Sequence, residues 1–206
     1  MADTEEPQIY LLTPPNLDLG TFPDRLARLL DAEPVACLRL ALATRDEDTI
    51  LRAADAIRDV AHARDVALVI DTHVVLAERL GLDGVHLGDG VRSVRAARKA
   101  LGADAIVGAF CGASRHDGMN AGEAGADYVS FGPVSAGALG DGTAAETDLF
   151  RWWSEMIELP VVAEGGLDAH AVHELAPLTD FFAFGEEIWA ADDPVAALRA
   201  LRATMT

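Results

Sequence analysis

The feature that most constrains the fold is a regular alternation of short, apolar, β-rich runs with stretches of helical periodicity. This alternation is typical of a parallel sheet built from strand–helix units. Eight runs have the composition of buried strands: residues 9–12, 35–40, 66–70, 84–87, 105–108, 127–132, 160–163 and 181–185. Helical patterns cover residues 46–65, 74–80, 91–101, 116–125, 146–157 and 194–203. The expected helix N-caps are Asp46, Ser93 and Asp168. Asp168 predicts a further helix that begins directly after it.

Three segments repeat one joint, in which a helix end and a glycine turn lead into a buried strand. They are LGLDGVHLG, LGADAIVG and AGADYVSFG, at residues 80–88, 101–108 and 124–132. The repetition indicates successive units of one domain. We therefore predict a single (β/α)8 barrel over residues 1–206, with its ligand site at the carboxyl ends of the strands. An open, doubly wound sheet is the alternative, but no G-x-G-x-x-G follows the first strand.

The charge of the chain excludes several classes of partner. The 34 acidic residues against 16 basic ones give a net charge of −18. Binding to nucleic acid or to an anionic membrane depends on basic residues that meet phosphate, so neither partner is expected. No apolar run is long enough to cross a membrane, and the acidic start lacks the apolar stretch of a signal peptide. We expect a cytoplasmic protein with a small-molecule ligand.

The cysteines and tryptophans carry weaker signals. Cys37 and Cys111 are the only cysteines, and their apolar or glycine-rich surroundings predict reduced thiols. Trp152 and Trp153 are adjacent on a predicted helix, so both cannot face the core. One of them would cover the barrel edge or a subunit interface, which makes a homodimer one possibility and a tryptophan that caps the core the other.

The segment PVVAEGGLDAH, residues 160–170, combines a strand, a glycine turn and a helix start. Backbone N–H groups of Gly165 and Gly166, together with a helix N-terminus, form the kind of cradle that binds phosphate in many barrels. Glu164 stands directly before this cradle, where a carboxylate would oppose an anion.

Five motifs, in the same order along the chain, resemble those of the thiamine phosphate synthase and thiazole tautomerase family. They are YLLTP, DGVHLG, GADYVSFGPV, PVVAEGGL and FGEEIWAADDP, which begin at residues 10, 83, 125, 160 and 184. The resemblance covers almost the whole chain and implies a single TIM barrel. It also implies a transferase of thiamine biosynthesis that uses magnesium and joins a pyrimidine, with pyrophosphate leaving, to a thiazole phosphate.

Several positions depart from the residues that the family uses on its ligands. Of the family's Gln-x-Arg-x-Lys only Arg39 remains. The two magnesium positions are Thr72 and Val91, which are unsuited to an ion that prefers carboxylate oxygens. The family's phosphate-binding lysine has no counterpart in SAGALGD, residues 135–141, and the tautomerase's histidine is Ala113.

These departures predict a site that binds phosphate poorly. A serine that helps the family to bind thiazole phosphate aligns with Glu186, which with Glu164 would put two carboxylates beside the phosphate position. Each carboxylate at about 4 to 6 Å from a phosphate would cost about 1 kcal/mol or more. The resemblance nonetheless places the ligand contacts at Gly165, Gly166, Glu164, Gly185, Glu186, Cys111 and Ser114.

The candidates for catalysis lie at strand ends and are Arg39, Asp71, His73 and Asp89. Asp71, His73, Asp89 and His86 could form a relocated site for zinc, manganese or a similar ion, with Asp71 and Asp89 as its carboxylates. The alternative is that His86 is hydrogen-bonded inside the barrel and that the acids cap helices. A buried arginine needs an anionic partner, so Arg39 meets either the substrate or an internal carboxylate such as Asp71 or Glu186.

Two further side chains are weaker candidates. His116 lies three residues after Ala113 and could serve as a general base, although the first turn of a helix is as a rule exposed to solvent. Cys111 follows a strand but has no identifiable base or cation beside it, so an ordinary thiol is the simpler interpretation.

Three functions are compatible with the sequence. The first is thiamine phosphate synthesis by a site that has lost most of the family's catalytic residues. The second is an isomerase, as in the tautomerase, or a hydrolase that uses Asp71, His73, Asp89, Glu164 or Glu186 for acid–base catalysis of another small molecule. The third is a non-catalytic barrel that binds a cationic or neutral ligand, or a partner protein, and a network of Arg39 with carboxylates across the mouth would favour it.

Overall fold

The computed structural model describes residues 6–135 and 139–206, in which eight parallel strands form a closed barrel. The strands follow one another around the barrel in chain order, and β8 pairs with β1. They are Gln8–Leu12 (β1), Cys37–Leu40 (β2), Ala67–Asp71 (β3), Gly84–Leu87 (β4), Ile106–Phe110 (β5), Tyr128–Phe131 (β6), Val161–Glu164 (β7) and Phe181–Phe184 (β8). The predicted (β/α)8 fold is confirmed, and each predicted strand is present with ends that differ by one or two residues at most.

Helices surround the barrel. Those in the described residues are Phe22–Ala32 (α1), Glu47–His62 (α2), Val74–Leu80 (α3), Val94–Leu101 (α4), Arg115–Ala124 (α5), Thr147–Met156 (α6), Ala169–Leu175 (α7), Glu186–Trp189 (α8) and Pro194–Arg202 (α9). The predicted helical patterns do not include α1 and α8. In α1 the signal is present in the sequence, because Phe22, Leu26 and Leu29 recur at helical spacing and are buried.

Two of the three predicted caps are confirmed. The Asp46 carboxylate accepts the Thr49 N–H at 2.9 Å, and the Asp168 carboxylate accepts the Ala171 N–H at 2.8 Å. The third was wrong, because Ser93 makes no side-chain cap to α4. A short 3₁₀ turn precedes that helix, and the Ser93 hydroxyl instead donates to the Asp89 carboxylate at 2.6 Å.

Alternation along each strand separates two buried layers. Outward-facing residues such as Leu38, Val85 and Phe182 pack against the helices in one large apolar core. Inward-facing residues form a second, smaller cluster, whose buried members are Tyr10, Cys37, Val69, Tyr128, Val162 and Ala183. The inner layer is the floor beneath the carboxyl ends of the strands, and it is rich in polar groups.

Hydrogen bonds tie this inner layer together. The Tyr10 and Tyr128 hydroxyls lie 2.6 Å apart, and the His86 Nδ1 lies 2.9 Å from the Tyr128 hydroxyl. Burial lowers the pKa of His86 well below its usual range, since a charged imidazole would be desolvated there. The expectation that His86 is a hydrogen-bonded residue of the barrel interior is confirmed.

Three aspartates at the opposite end of the barrel join neighbouring strands. Each one precedes a strand, and its carboxylate accepts the backbone N–H of a residue in the strand before it. The pairs are Asp83 with Leu68, Asp127 with Val107 and Asp180 with Val161, at 2.7, 2.7 and 2.8 Å. Two of the three copies of the repeated sequence joint, those with Asp83 and Asp127, therefore carry a strand-to-strand contact.

The adjacent tryptophans occupy different surroundings. Trp153 is fully buried and donates its indole N–H to the Leu159 carbonyl at 2.8 Å. Trp152 is partly buried, and the Arg115 guanidinium lies over its ring at 4.9 Å from the centroid. Within the described residues, no helix has the length and apolar character needed to cross a membrane. A homodimer remains a prediction.

Candidate active site

Arg39 is held inside the barrel by two carboxylates. It lies on β2, and its Nη1 donates to Glu164 Oε2 at the end of β7 over 2.9 Å. Its Nε is 3.4 Å from Asp71 Oδ1 at the end of β3. We call Arg39, Asp71 and Glu164 the Arg39 trio. Of the two open alternatives for the partner of Arg39, an internal carboxylate is confirmed.

The three members of the trio differ in their access to the mouth. The side chains of Arg39 and Glu164 are 6% and 3% exposed, whereas that of Asp71 is 37% exposed. With both carboxylates ionised, the trio carries a net charge of −1. A ligand that enters the mouth therefore meets Asp71, while the charge of Arg39 is already neutralised below it.

Burial and charge set the ionisation of the trio. Burial raises the pKa of Asp71 to about 6, Arg39 opposes this rise, and Glu164 adds to it. Burial alone would lower the pKa of Arg39, but Glu164 and Asp71 raise it, so the guanidinium stays charged. Asp71 is thus a carboxyl group whose pKa lies close enough to neutral for proton transfer.

Polar atoms in the barrel interior have hydrogen-bonding capacity left over. Among the described residues, three buried side-chain atoms make no hydrogen bond: Arg39 Nε, Asp71 Oδ1 and Ser130 Oγ. Buried polar groups are as a rule hydrogen-bonded, to protein, water or ligand. Strand alternation directs all three side chains inward, so this capacity faces the floor of the mouth.

Several of the residues proposed from the sequence line separate cavities around the mouth. Asp71, Thr72 and His73 line a cavity of about 460 Å³ with Thr44 and Arg45. A second cavity, of about 690 Å³, contains Asp89, Cys111 and Ser114. A third, of about 620 Å³, contains Gly185 and Glu186 with Arg25 and Trp189. The four candidates for catalysis therefore do not form one cluster, since Asp89 lies apart from the trio and His73.

Glu164 does not stand at the lip of the glycine cradle, and that expectation was wrong. Alternation along β7 turns Val162 and Glu164 inward, so the carboxylate points into the barrel rather than toward the following turn. The turn itself keeps Gly165 and Gly166 at φ of 83° and 70°. A Cβ on Gly166 would lie 2.1 Å from the Ser135 Oγ, so the loop after β6 also requires glycine there.

A carboxylate that the sequence did not single out occupies the region between β7 and β8. Glu187 accepts the backbone N–H of Gly185 at 3.0 Å and that of Leu167 at 3.3 Å. Glu186 is exposed, and it is not the partner of Arg39. No sequence signal pointed to Glu187, because the four-residue helix that places it in a first turn was not among the predicted helices.

The relocated metal site is not formed. His86 is committed to Tyr128, and Asp89 accepts the Ser93 hydroxyl. In residues 6–135 and 139–206, no group of three or more His, Cys, Asp or Glu side chains could hold a metal ion. Magnesium does not fit the family's positions either, because Val91 is apolar and Thr72 offers a single hydroxyl on a residue with φ of 64°.

The residues after β5 have structural contacts. Burial raises the pKa of Cys111 to about 12, so it is a thiol rather than a nucleophilic thiolate. Ser114 caps α5 by accepting the Asp117 N–H at 3.2 Å. His116 is exposed and contacts Asn120. Ligand contacts at Cys111 and Ser114 remain predictions, and the segment 135–141 lies partly outside the described residues.

The fold and this site define a (β/α)8 barrel with cavities at the carboxyl ends of its strands. The family described as thiamine monophosphate synthase matches residues 9–185. The thiamine-phosphate synthase of Rhodospirillum centenum is 44% identical over 188 residues, which are 88% of this chain and 89% of that protein. That of Erythrobacter litoralis is 40% identical over 204 residues, 95% of each chain. The chain belongs to the thiamine monophosphate synthase family.

Solved structures agree on the fold. The thiamine phosphate pyrophosphorylase of Pyrococcus furiosus superposes with a TM-score of 0.83 and covers 98% of this chain and 96% of its own. At 21% sequence identity, this likeness concerns the fold alone.

Proposed function

We propose that this chain binds an unphosphorylated thiamine precursor, or a heterocycle of that kind, at the carboxyl-terminal mouth of the barrel. The observation that carries the proposal is the pairing of Arg39 with Glu164 and Asp71. Membership of the thiamine monophosphate synthase family supports a thiamine precursor as the ligand. The pairing of Arg39 with carboxylates supports a ligand that carries no phosphate. A network of this kind favours a neutral or cationic ligand over an anionic one.

The electrostatics of the trio oppose a phosphate. Two unit charges 5 Å apart interact by about 3 kcal/mol at an effective dielectric constant of about 20. A phosphate above Asp71 would meet this repulsion. Arg39 would attract the phosphate only weakly, because Glu164, 2.9 Å from the guanidinium, already neutralises its charge. The Glu187 carboxylate also accepts the backbone N–H groups of Gly185 and Leu167. These donors are therefore not free to bind an anion.

Asp71 gives the mouth an acid–base group. Its raised pKa and partial exposure suit it to accept or return a proton on a bound ligand. His73, exposed in the same cavity, is a second titratable side chain within the mouth. The network of Arg39 with Glu164 and Asp71 favours ligand binding without catalysis. If the ligand is also turned over, an isomerase-type proton transfer is the reaction class that Asp71 and His73 support.

Thiamine phosphate synthesis is the second candidate, and the name shared by the relatives favours it. Relatives so named are 31% to 44% identical over most of the chain. For this reaction Arg45 and Arg92, which line two of the mouth cavities, would have to replace the missing phosphate-binding residues.

A turnover assay and a binding assay separate the two candidates. The purified protein is incubated with the pyrimidine diphosphate, thiazole phosphate and Mg²⁺, and thiamine phosphate is sought by chromatography. We expect none above the uncatalysed background, and catalysed formation would favour the second candidate. Calorimetric titration with the unphosphorylated thiazole alcohol and pyrimidine alcohol should detect binding of at least one. If neither binds at millimolar concentration, the first candidate is wrong.

A further inference from the structure

We infer that two copies of this chain associate side by side through the outer faces of α5 and α6. Arg115 and Met119 on α5, with Trp152 and Met156 on α6, form the surface that we call the Trp152 patch. The inference goes beyond the proposed function, because the patch lies on the outer helices and contains none of the residues proposed to contact a ligand.

The Trp152 patch is continuous across two neighbouring helices. The Arg115 guanidinium lies over the Trp152 ring at 4.9 Å from its centroid, so α5 and α6 adjoin at this point. Met119 follows Arg115 by four residues, and Met156 follows Trp152 by four. Residues four apart lie one turn along the same helix face, so each methionine extends the patch away from the arginine and the tryptophan.

The composition of the patch is that of a protein interface. Met156 is 64% exposed and Met119 is 37% exposed, and Val75 is the one other exposed large hydrophobic side chain among the described residues. Trp, Met and Arg are enriched where proteins contact one another, and Trp and Arg often supply much of the binding energy. Grouped exposed apolar side chains of this kind indicate a contact surface.

The charge pattern on α6 favours a second copy of the chain as the partner. Arg151 and Glu155 are exposed on the outer face of α6, beside the patch. Within residues 6–135 and 139–206, neither takes part in an ion pair. When two copies of α6 lie antiparallel across a two-fold axis, Arg151 of one copy lies opposite Glu155 of the other, and symmetry forms the reverse pair. The face therefore complements itself.

The net charge of the chain makes this local balance important. Two copies that each carry −18 repel one another, so they can approach only where opposite charges meet. On the outer surface around the patch, Arg115 and Arg151 offset Asp148 and Glu155. At 0.15 M salt the Debye length is about 8 Å, so acids elsewhere on the two copies oppose the contact only weakly.

The size of the patch predicts a weak dimer. Stable interfaces use about 20 to 30 residues from each partner. Helices α5 and α6 have 10 residues each, and only their outer faces are available. We therefore expect a dissociation constant of about 10 to 100 µM.

Sedimentation equilibrium of the full chain in 0.15 M salt tests the association. The wild type should be mostly dimeric at about 0.5 mM protein, well above the expected dissociation constant. Met156→Glu puts a charge from each copy into the patch and should weaken association by at least about tenfold. Val75→Glu adds the same charge at an exposed apolar position on α3 and should change association by about twofold at most.

Two outcomes of this experiment would overturn the inference. The first is a wild type that stays monomeric at about 0.5 mM, which would leave the patch to a different protein. The second is a Met156→Glu variant that associates as the wild type does. Both changed side chains are exposed, so the variants should keep the Tm of the wild type within a few degrees, which thermal unfolding checks.

A pair of charge reversals tests whether the partner is a second copy. Arg151→Glu alone places like charges opposite each other in both symmetric contacts, and so does Glu155→Arg alone. Each variant by itself should associate at least about tenfold more weakly than the wild type. In an equal mixture, each changed side chain meets an opposite charge, so a mixed dimer should form with an affinity within about threefold of the wild type. A mixture that associates no better than the separate variants would overturn the inference.

Discussion

Arg39 is the residue on which the charge balance of the barrel interior depends. Replacing it with methionine leaves the buried Glu164 carboxylate without a cation. We expect Arg39→Met to lower the free energy of unfolding by about 3 to 5 kcal/mol, as for other broken buried ion pairs. Denaturant unfolding followed by circular dichroism measures this change.

A matched double variant separates loss of the pair from loss of volume. Arg39→Met combined with Glu164→Leu removes both charges and keeps apolar bulk, so most of the lost stability should return. If the double variant is as unstable as the single one, the pair is not the reason for the loss.

Asp71 should make stability depend on pH. Its pKa is raised from 3.8 to about 6 in the folded chain, so the folded state binds its proton more tightly than the unfolded state. This contribution is fully present below about pH 4 and is lost as the pH rises through about 6. Solvent screens a side chain that is over one third exposed, so the effect is about 1 kcal/mol or less.

The difference in Tm between Asp71→Asn and the wild type isolates this effect. Asparagine does not ionise, so the variant should gain more relative to the wild type at pH 8 than at pH 5. The surrounding Arg39, Glu164, His73, His86 and Arg45 are common to both proteins and largely cancel. A difference that is constant from pH 5 to pH 8 would contradict the raised pKa.

Part of the site was predictable residue by residue. The need of Arg39 for an anion follows from its place in an apolar strand, and Asp71 was named as one partner. The Glu164 side chain was expected to face the glycine turn, whereas it points into the barrel. Strand alternation from the inward-facing Val162 would have predicted this inward direction. Side-chain direction at the last residue of a strand requires the register of the strand, which the pattern leaves open by one residue.

At the level of elements, the aspartates before β4, β6 and β8 join neighbouring strands. Asp127→Ala removes the acceptor of the Val107 N–H and of Arg98. We expect a loss of about 1 to 2 kcal/mol in the free energy of unfolding. Asp104→Ala is the control, because Asp104 occurs in the similar segment LGADAIVG but is exposed, and it should change stability by about 0.5 kcal/mol at most. Equal losses would show that the contact to Val107 does not matter.

Strands were predictable because the inner and outer faces of a barrel strand are both buried, which produces short apolar runs between turns. Helix α1 has the same spacing of apolar residues as the other helices and was detectable. Helix α8 has only four residues, which are too few to show a helical repeat of apolar residues. The division of the mouth into separate cavities depends on how the loops pack, and no local pattern encodes that packing.

For the whole molecule, the acidic surface should make stability depend on ionic strength. The net charge of −18 produces self-repulsion in the compact state. The Debye length falls from about 30 Å at 0.01 M salt to about 8 Å at 0.15 M, so added salt screens this repulsion. We expect Tm to rise by a few degrees over that range, measured by differential scanning calorimetry.

Chloride and thiocyanate salts at equal ionic strength provide the control. Screening depends on ionic strength, so both should raise Tm similarly below about 0.15 M. A fall in Tm with either salt would mean that attractive ion pairs outweigh the repulsion.

The whole fold was predictable from periodicity, and the family from motifs in order, because both are distributed along the chain. The candidate site depends on a few side chains whose partners are far apart in sequence, as Arg39 and Glu164 are. The sequence predicts that phosphate-binding residues are missing, whereas the structure shows that internal carboxylates pair with Arg39.

The most direct test of this account is a calorimetric titration of the wild-type protein with thiazole phosphate and, in parallel, with the thiazole alcohol. Each titration is performed with and without Mg²⁺. We expect the alcohol to bind at least as tightly as the phosphate and Mg²⁺ to change neither affinity. Binding of thiazole phosphate tenfold or more tightly than the alcohol, strengthened by Mg²⁺, would show that the mouth still accepts phosphate and would contradict the account.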